Sequence, residues 1–166
     1  LKATASNFPY SLEKPYDLVF SNMVFHWIAN MEQPLSRIFQ SLKPGGKFAF
    51  TVPARLTKTA IDLTQMLPPE KSHHILDNFY FREPSVWESL CQKIGFEISY
   101  QNKVIQTAYF QDLPHLIDWW TATTHGKFDV ACLDREKLAN LEITKTENGQ
   151  IKHDSQIIQF VAIKPF

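Results

Sequence analysis

Glycine and cysteine are scarce in this sequence, and neither a long apolar run nor an excess of charge is present. Among 166 residues there are five glycines and two cysteines, and 17 basic residues balance 17 acidic ones. A nucleic-acid binder usually has a basic excess, so the balance argues against that class. No apolar run approaches the roughly 20 residues that span a bilayer. We therefore expect neither a nucleic-acid nor a membrane partner.

Cysteine and histidine form no metal or redox pattern. Cys91 and Cys132 are far apart in the sequence and match no CxxC motif, so we expect two reduced thiols and a cytoplasmic protein. His73 and His74 are adjacent, so their side chains diverge on any regular element. A metal site is therefore not expected.

What the chain does have is apolar bulk. It is 44% hydrophobic and 20% charged, with 13 Phe and four Trp. This composition is typical of a globular protein with a large core, and the length suits one ordinary domain. We expect a single domain over residues 1–166.

The first fifty residues predict strand, helix and strand. Tyr16 to Ser21 is β-rich with apolar residues on both faces, which favours a strand covered on both sides. Asn30 begins a helix and can cap it as Asn30-x-x-Gln33. Pro44-Gly45-Gly46 ends that helix, and Lys47 to Val52 is a second strand. The helix carries one apolar face, formed by Met31, Leu35, Ile38, Phe39 and Leu42.

Further along the chain, helix-breaking and helix-capping residues mark the ends of two predicted helices, and a predicted strand follows. Thr57 to Met66 is predicted to be helical, and Pro68-Pro69 breaks this helix. A capping box, Ser85-x-x-Glu88, opens another helix, which Gly95 ends as a left-handed cap. Phe96, Ile98 and Tyr100 then alternate with polar residues, so a strand follows.

The last fifty residues are less regular. A helix is predicted from about Asp112. Residues 135–141 are compatible with a helix, while Asn148-Gly149 is a hairpin turn signal. Ile157 to Ile163 is predicted to be a last strand inside the sheet, because it is almost continuously apolar.

Three blocks in order carry a family resemblance. They are Tyr16-Asp-Leu-Val-Phe-Ser-Asn22, Phe25-His-Trp27 and Leu42-Lys-Pro-Gly-Gly46, which together resemble the middle of class I S-adenosylmethionine-dependent methyltransferases. Ile94-Gly-Phe96 and the ending Phe160 to Pro165 also resemble elements of that family. The resemblance covers nearly the whole chain, but only the second half of the family fold.

The resemblance implies an α/β fold, a partial Rossmann-like methyltransferase sheet made of the family's fourth to seventh strands with flanking helices. The family's Gly-rich loop and the acidic residue that holds the ribose have no counterpart here, so the N-terminal cofactor-loop half is expected to be absent. The fourth strand normally pairs with the missing first strand. Asp17 to Phe20 is therefore expected to be an exposed edge, open to self-association or to pairing with an N-terminal piece.

The resemblance also implies cofactor-binding positions. Thr4 and Ala5 align with the loop that borders the adenine, where Thr4 replaces the usual aspartate. Ser21, Asn22 and Met23 would shape the pocket at the methionine end of S-adenosylmethionine. For Asn22 the alternative is a role in the turn alone.

Aromatic and histidine side chains complete the predicted site. Trp27 is expected to form a wall beside the cofactor or to be a core residue. His26 would orient a substrate oxygen or satisfy a local hydrogen bond. In the insertion before the last strand, the predicted substrate residues are His115, Trp119 and Trp120. The two tryptophans point about 100° apart on a helix, so one of them would face a pocket or both would be half-buried.

The function implied is methyl transfer from S-adenosylmethionine to a small acceptor. Within the family the pattern is nearest to trans-aconitate methyltransferases and the malonyl carrier-protein methyl ester synthase of biotin biosynthesis, which implies a small-molecule or carrier-bound carboxylate substrate. A carboxylate is already anionic, so alignment suffices and no catalytic base is expected. The alternative is a non-catalytic methyltransferase-like protein or fragment that acts by association with a partner, and the chain alone is expected to be inactive.

Overall fold

The computed structural model describes residues 14–166. They divide into two compact units, and each is described by itself. Unit 1 comprises the described residues up to Ala54, together with Tyr80–Val104 and Ile157–Phe166. Unit 2 comprises Arg55–Phe79 and Ile105–Gln156. The expectation of one domain over 1–166 stays a prediction.

Strands and helices alternate along the described residues. None of these helices is long and apolar enough to cross a membrane. The strands are β1 (Tyr16–Asn22), β2 (Leu42–Pro53), β3 (Glu97–Phe110), β4 (Thr144–Lys145) and β5 (Ile151–Ile163). The helices are α1 (Glu32–Ser41), α2 (Lys58–Gln65), α3 (Pro69–Leu76), α4 (Pro84–Ile94), α5 (Leu113–Thr123) and α6 (Arg135–Ala139).

The strands form one mixed sheet in the order β1-β2-β5-β3, with β4 paired to β5. β1 and β2 are parallel, and β5 runs antiparallel to β2. The α1 helix connects the two parallel strands, as a crossover connection requires. The predicted α/β, Rossmann-like class is therefore confirmed, and so is the interior position of the last strand.

One face of the sheet in unit 1 is packed against helices. Alternate residues of β2 point to this face, and Phe50 of β2 lies opposite Phe160 of β5 with stacked rings 5.1 Å apart. Trp87 of α4 and Leu35 of α1 are fully buried against them. Each such buried side chain contributes about 1.5–3 kcal/mol of hydrophobic stabilisation.

The predicted exposed edge is present at β1. Among the described strands β1 pairs with β2 alone, and it forms the end of the sheet. Leu18 is 56% exposed and Phe20 is 64% exposed. The expectation of a strand covered on both faces is therefore wrong for this chain, because within the described residues only the face of Val19 is packed against the core.

Unit 2 has a core of its own. Three helices contribute buried side chains to this core: Leu116 and Trp120 from α5, Leu63 from α2 and Ile75 from α3. Phe128 is buried with them. The α2 helix begins near the predicted position, and the side chain of its N-cap, Thr57, accepts a hydrogen bond from the amide of Ala60. The helices α2, α3 and α5 therefore each bury one side, as an amphipathic helix does.

Two helix starts differ from their predictions. The α1 helix begins at Glu32, and Asn30 caps from outside by accepting a hydrogen bond from the Glu32 amide at 3.0 Å. The α4 helix begins at Pro84, which suits a first helical position, so Ser85 lies inside the helix and forms no capping box. The predicted break at Pro68-Pro69 is confirmed, because α2 ends at Gln65, but the α3 helix that begins at Pro69 was not predicted.

Other local signals are confirmed. Gly95 ends α4 with a φ of +111°, in the left-handed region that favours glycine. Asp112 caps α5 by accepting a hydrogen bond from the amide of His115. The helix α6 and a β4–β5 hairpin with Asn148-Gly149 in its turn are both present, which resolves the two alternatives for residues 135–149.

Candidate functional site

The candidate site in unit 1 begins where β1 ends. Met23 has a φ of +55°, an uncommon conformation for a residue with a side chain, and its amide donates to the carbonyl of Thr51 at 2.9 Å. This turn directs the chain away from the sheet at the carboxyl end of the strand. Ligands in open α/β sheets bind beyond the carboxyl ends of parallel strands.

Asn22, the last residue of β1, is held in place from the neighbouring strand. Its side-chain oxygen accepts a hydrogen bond from the hydroxyl of Thr51 in β2. The Asn22 side chain is exposed, whereas Ser21 and Met23 are half-buried. Because the side-chain oxygen is held in this way, the side-chain amide nitrogen of Asn22 has a fixed position at the end of β1 and can donate a hydrogen bond.

A turn of 3-10 helix, Phe25–Trp27, follows directly. Phe25 anchors it in the core of unit 1, with its ring 5.7 Å from those of Phe48 and Phe50. Because the anchor is buried, the residues on either side of it are fixed relative to the ends of β1 and β2.

His26 and Trp27 differ in accessibility. His26 is 4% exposed, and its ring stacks on Phe81 with centroids 6.3 Å apart. Its carbonyl accepts a hydrogen bond from the amide of Tyr80 at 2.7 Å. Trp27 is half-buried, with its ring 5.2 Å from that of His26. The indole of Trp27 can therefore offer an apolar wall, while His26 offers little surface.

Arg82 holds this turn, a role that the sequence did not indicate. Its guanidinium donates to the carbonyls of Ile28 at 2.8 Å, Ala29 at 2.5 Å and Tyr80 at 3.0 Å. The guanidinium carbon also lies 5.1 Å from the ring centre of Trp87. Partial burial lowers the pKa of Arg82. The one signal in the sequence is a cation directly after three aromatic residues.

The predicted substrate residues of α5 lie in unit 2. His115 is exposed, and its Nδ1 accepts a hydrogen bond from the amide of Gln111 at 3.3 Å. Trp120 is 1% exposed, stacks on Phe79 and donates its indole N–H to Thr64 Oγ1 at 3.0 Å. Trp120 therefore packs in the core and leaves no polar group for a substrate.

Trp119, in contrast, is half-buried and belongs to an aromatic cluster. Its ring lies 5.3 Å from Phe110 and 5.0 Å from His153. His153 is 4% exposed, and its Nε2 has no hydrogen-bond partner among the described residues. Burial lowers the pKa of His153. This buried histidine is not indicated by the sequence, since it lies in a strand of otherwise ordinary pattern.

The predicted residues thus fall into three groups. Ser21, Asn22, Met23, His26 and Trp27 come together in unit 1. His115, Trp119 and Trp120 belong to unit 2. Thr4 and Ala5 lie outside the described residues. Within residues 14–166 no group of three or more His, Cys, Asp or Glu side chains could hold a metal ion.

Comparison with known proteins points to one family. Residues 2–101 match the family model described as a methyltransferase domain. A malonyl-[acyl-carrier protein] O-methyltransferase from Calditerrivibrio nitroreducens is 42% identical over 41 residues, which are 25% of this chain and 17% of that protein. A trans-aconitate 2-methyltransferase from Rhizobium rhizogenes is 39% identical over 46 residues, 28% of this chain and 18% of that protein. The matched segments therefore span less than a fifth of these curated relatives.

Solved structures are similar in fold over almost the whole chain. A Bacillus halodurans protein assigned as a methyltransferase gives a TM-score of 0.58 at 16% identity, covering 99% of this chain and 71% of that one. A SAM-dependent methyltransferase from Thermotoga maritima gives 0.52 at 15% identity, covering 99% and 63%. The [4+2]-cyclase SpnF gives 0.53 at 15% identity, covering 98% and 54%. The fold is therefore shared with a protein named for a different reaction.

Proposed function

Because the chain belongs to the methyltransferase-domain family, we propose that the whole protein transfers a methyl group from S-adenosylmethionine to a small acceptor, and that the accepting group is a carboxylate. The observation that carries the methyl transfer is the family match over residues 2–101. The carboxylate is supported by the names of the malonyl and trans-aconitate methyltransferases. A non-catalytic role is not favoured.

The end of β1 fits the methionine end of that cofactor. Asn22 offers an exposed amide that Thr51 orients, and the backbone of Met23 has a positive φ and turns away from the strand. Trp27 supplies an apolar, half-buried surface next to this turn. The amide of Asn22 would bind the charged amino acid end of the cofactor, and the ring of Trp27 would shield its sulfonium from water. Thr4 and Ala5 would border the adenine.

The residues of the chain act by alignment. When bound, S-adenosylmethionine supplies an activated methyl group for displacement by an anionic oxygen. A carboxylate needs no deprotonation at neutral pH, so no side chain has to accept a proton. Asn22 and Trp27 would limit the motion of the reacting groups, and Phe25 and Arg82 would keep the turn that carries Trp27 in position.

The test is methyl transfer by the full-length protein that contains this chain. With labelled S-adenosylmethionine, trans-aconitate and malonyl-[acyl-carrier protein] should become labelled methyl esters. Asn22→Ala should raise the dissociation constant of S-adenosylhomocysteine about tenfold, the equivalent of one hydrogen bond to a charged group. Asn102→Ala is the matched control, because Asn102 is equally exposed in unit 1 but lies on β3.

Two results would contradict the proposal at different points. If S-adenosylhomocysteine fails to bind the full-length protein, methyl transfer itself is wrong. If the cofactor binds and neither acid is methylated, the carboxylate acceptor is wrong. Equal losses for Asn22→Ala and Asn102→Ala would remove Asn22 from the site.

We further propose that the exposed edge of β1 is covered by the N-terminal half of the same methyltransferase domain. The edge carries the apolar side chains of Leu18 and Phe20, and it has unpaired backbone groups that a further strand can use. The 166-residue chain alone should therefore self-associate at this edge. In sedimentation, Phe20→Lys should reduce the association, whereas Val86→Lys, a change at an exposed apolar residue of α4, should not. A monodisperse monomer at all concentrations would contradict self-association at this edge.

A further inference from the structure

A cavity of about 540 Å³ lies within unit 2, and no predicted site residue lines it. Its size falls within the range of small-molecule sites in proteins. The segment that follows β2 supplies one side, and residues of β3 and β5 supply the other. The residues that matter for its chemistry are Arg55, Leu56, Lys58, Ile105, Ser155 and Gln156.

Arg55 is the cation of this cavity whose charge is not compensated. Arg55 is exposed, and it makes no salt bridge with any other residue among 14–166. Lys58, in contrast, lies 2.6 Å from Asp62, and that neighbouring carboxylate raises its pKa. Asp154, the carboxylate of the cavity, is paired with Lys152 at 2.8 Å. Lys58 also lies 3.6 Å from Glu142. Arg55 is therefore the lining cation that has no carboxylate partner among residues 14–166.

Hydrogen-bonding capacity lies across from this charge. The side chains of Ser155 and Gln156 make no hydrogen bond to the described part of the chain, and both line the cavity. The guanidinium of Arg55, with its five N–H groups, can by itself bind both oxygens of a planar anion. Arginine is the residue best suited to such two-point recognition.

The remaining wall is apolar. Ile105 is 68% exposed, and Leu56 and Ile61 are half-buried beside the same cavity. A ligand that covers Ile105 gains about 25 cal/mol for each Å² of apolar surface removed from water. The cavity thus combines one cationic fork with a short aliphatic surface.

We propose that this cavity binds a small organic acid, with its carboxylate on Arg55 and its aliphatic body against Ile105. A single uncompensated cation matches the charge of one carboxylate, whereas a phosphate carries more charge than this cavity balances.

The experiment is a titration of the cofactor-free protein with each probe. Binding is monitored by NMR, through the backbone amide resonances of Ser155 and Gln156. The probes are glutarate, its monomethyl ester, its dimethyl ester and inorganic phosphate. Glutarate and the monomethyl ester should bind, because each keeps a free carboxylate. Arg55→Gln should weaken glutarate binding by about tenfold to a hundredfold, the loss expected for hydrogen bonds to a charged group.

Arg135→Gln is the matched control, since Arg135 is an exposed arginine of unit 2 outside this cavity. Arg55→Lys should bind with intermediate affinity, because an ammonium keeps the charge but loses the fork. Equal weakening in the Arg55 and Arg135 variants, equal binding of phosphate, or equal binding of the dimethyl ester would each overturn the proposal. The measurement contains no methyl donor, so it can fail while methyl transfer succeeds, and the reverse.

Discussion

The hydroxyl of Thr51 in β2 donates a hydrogen bond to the side-chain oxygen of Asn22 at the end of β1. This bond joins two residues of adjacent parallel strands that lie opposite each other in the sheet. It selects one orientation of an otherwise exposed amide. The orientation of the most accessible polar group at the strand edge is therefore set by the neighbouring strand.

Thr51→Val removes that hydroxyl with little change in shape. We expect the free energy of unfolding to fall by about 1 kcal/mol and the dissociation constant of S-adenosylhomocysteine to rise about threefold to tenfold. Urea denaturation and calorimetric titration of the full-length protein measure the two effects. Thr51→Ser, which keeps the hydroxyl, is the control, and identical affinities of the two variants would show that the bond does not position Asn22.

Arg82→Met should destabilise the protein by about 2–4 kcal/mol, because carbonyls of Ile28, Ala29 and Tyr80 lose a charged donor together. Arg82→Lys should show an intermediate loss, since one ammonium cannot reproduce the fork. Urea denaturation measures both variants, and Arg135→Met provides an exposed control. If Arg82→Met unfolds at the same urea concentration as the control, the hydrogen bonds of Arg82 to the turn contribute nothing to the free energy of unfolding.

Thr64→Val should cost about 1–3 kcal/mol, because the buried indole N–H of Trp120 loses its acceptor. Trp120→Phe removes the donor and some packing. The double variant should be less destabilised than the sum of the two single variants, since neither group is then left unsatisfied. Denaturation of the four proteins of this cycle gives the coupling, and strict additivity would mean that the hydrogen bond has no net value.

His153 should make stability depend on pH. Burial lowers its pKa in the folded protein below the ordinary value of 6.5, so the unfolded chain binds the proton more readily. Stability should therefore be full above about pH 6.5 and should fall as the pH decreases through that value. His153→Phe should reduce this dependence. Thermal unfolding between pH 5 and 8 tests the prediction, and parallel curves for the two proteins would refute it. His115→Phe, at an exposed histidine of the same unit, serves as the control.

Local signals were read well from the sequence. The strand at Tyr16, the stripe of α1, the left-handed Gly95 and the helix start near Asp112 depend on residues within about four positions of one another, and periodicity reports such neighbours directly. The errors were also local. The Ser85-x-x-Glu88 pattern resembles a capping box, but Pro84 already begins the helix, and the α3 helix that starts at Pro69 was not predicted.

The candidate site was only partly predictable. The cluster from Ser21 to Trp27 came from contiguous motifs and a family resemblance, and the chain folds it into one place. The contribution of Arg82 was not predictable, because its acceptors at Ile28 and Ala29 are 54 and 53 positions away. For Trp120 and Thr64 the separation is 56 positions.

By itself the sequence determined the α/β class, the order of most elements, the family and the uncovered strand edge at Asp17 to Phe20. Tertiary structure decided which side chains became buried, so that Trp120 packs in a core while Trp119 stays half-buried. It also decided which cations are paired, and left Arg55 beside a cavity with no carboxylate partner among residues 14–166. The physical reason is that hydrogen bonding and apolar periodicity act between near neighbours in the chain, whereas burial and charge pairing depend on residues that only the folded chain brings together.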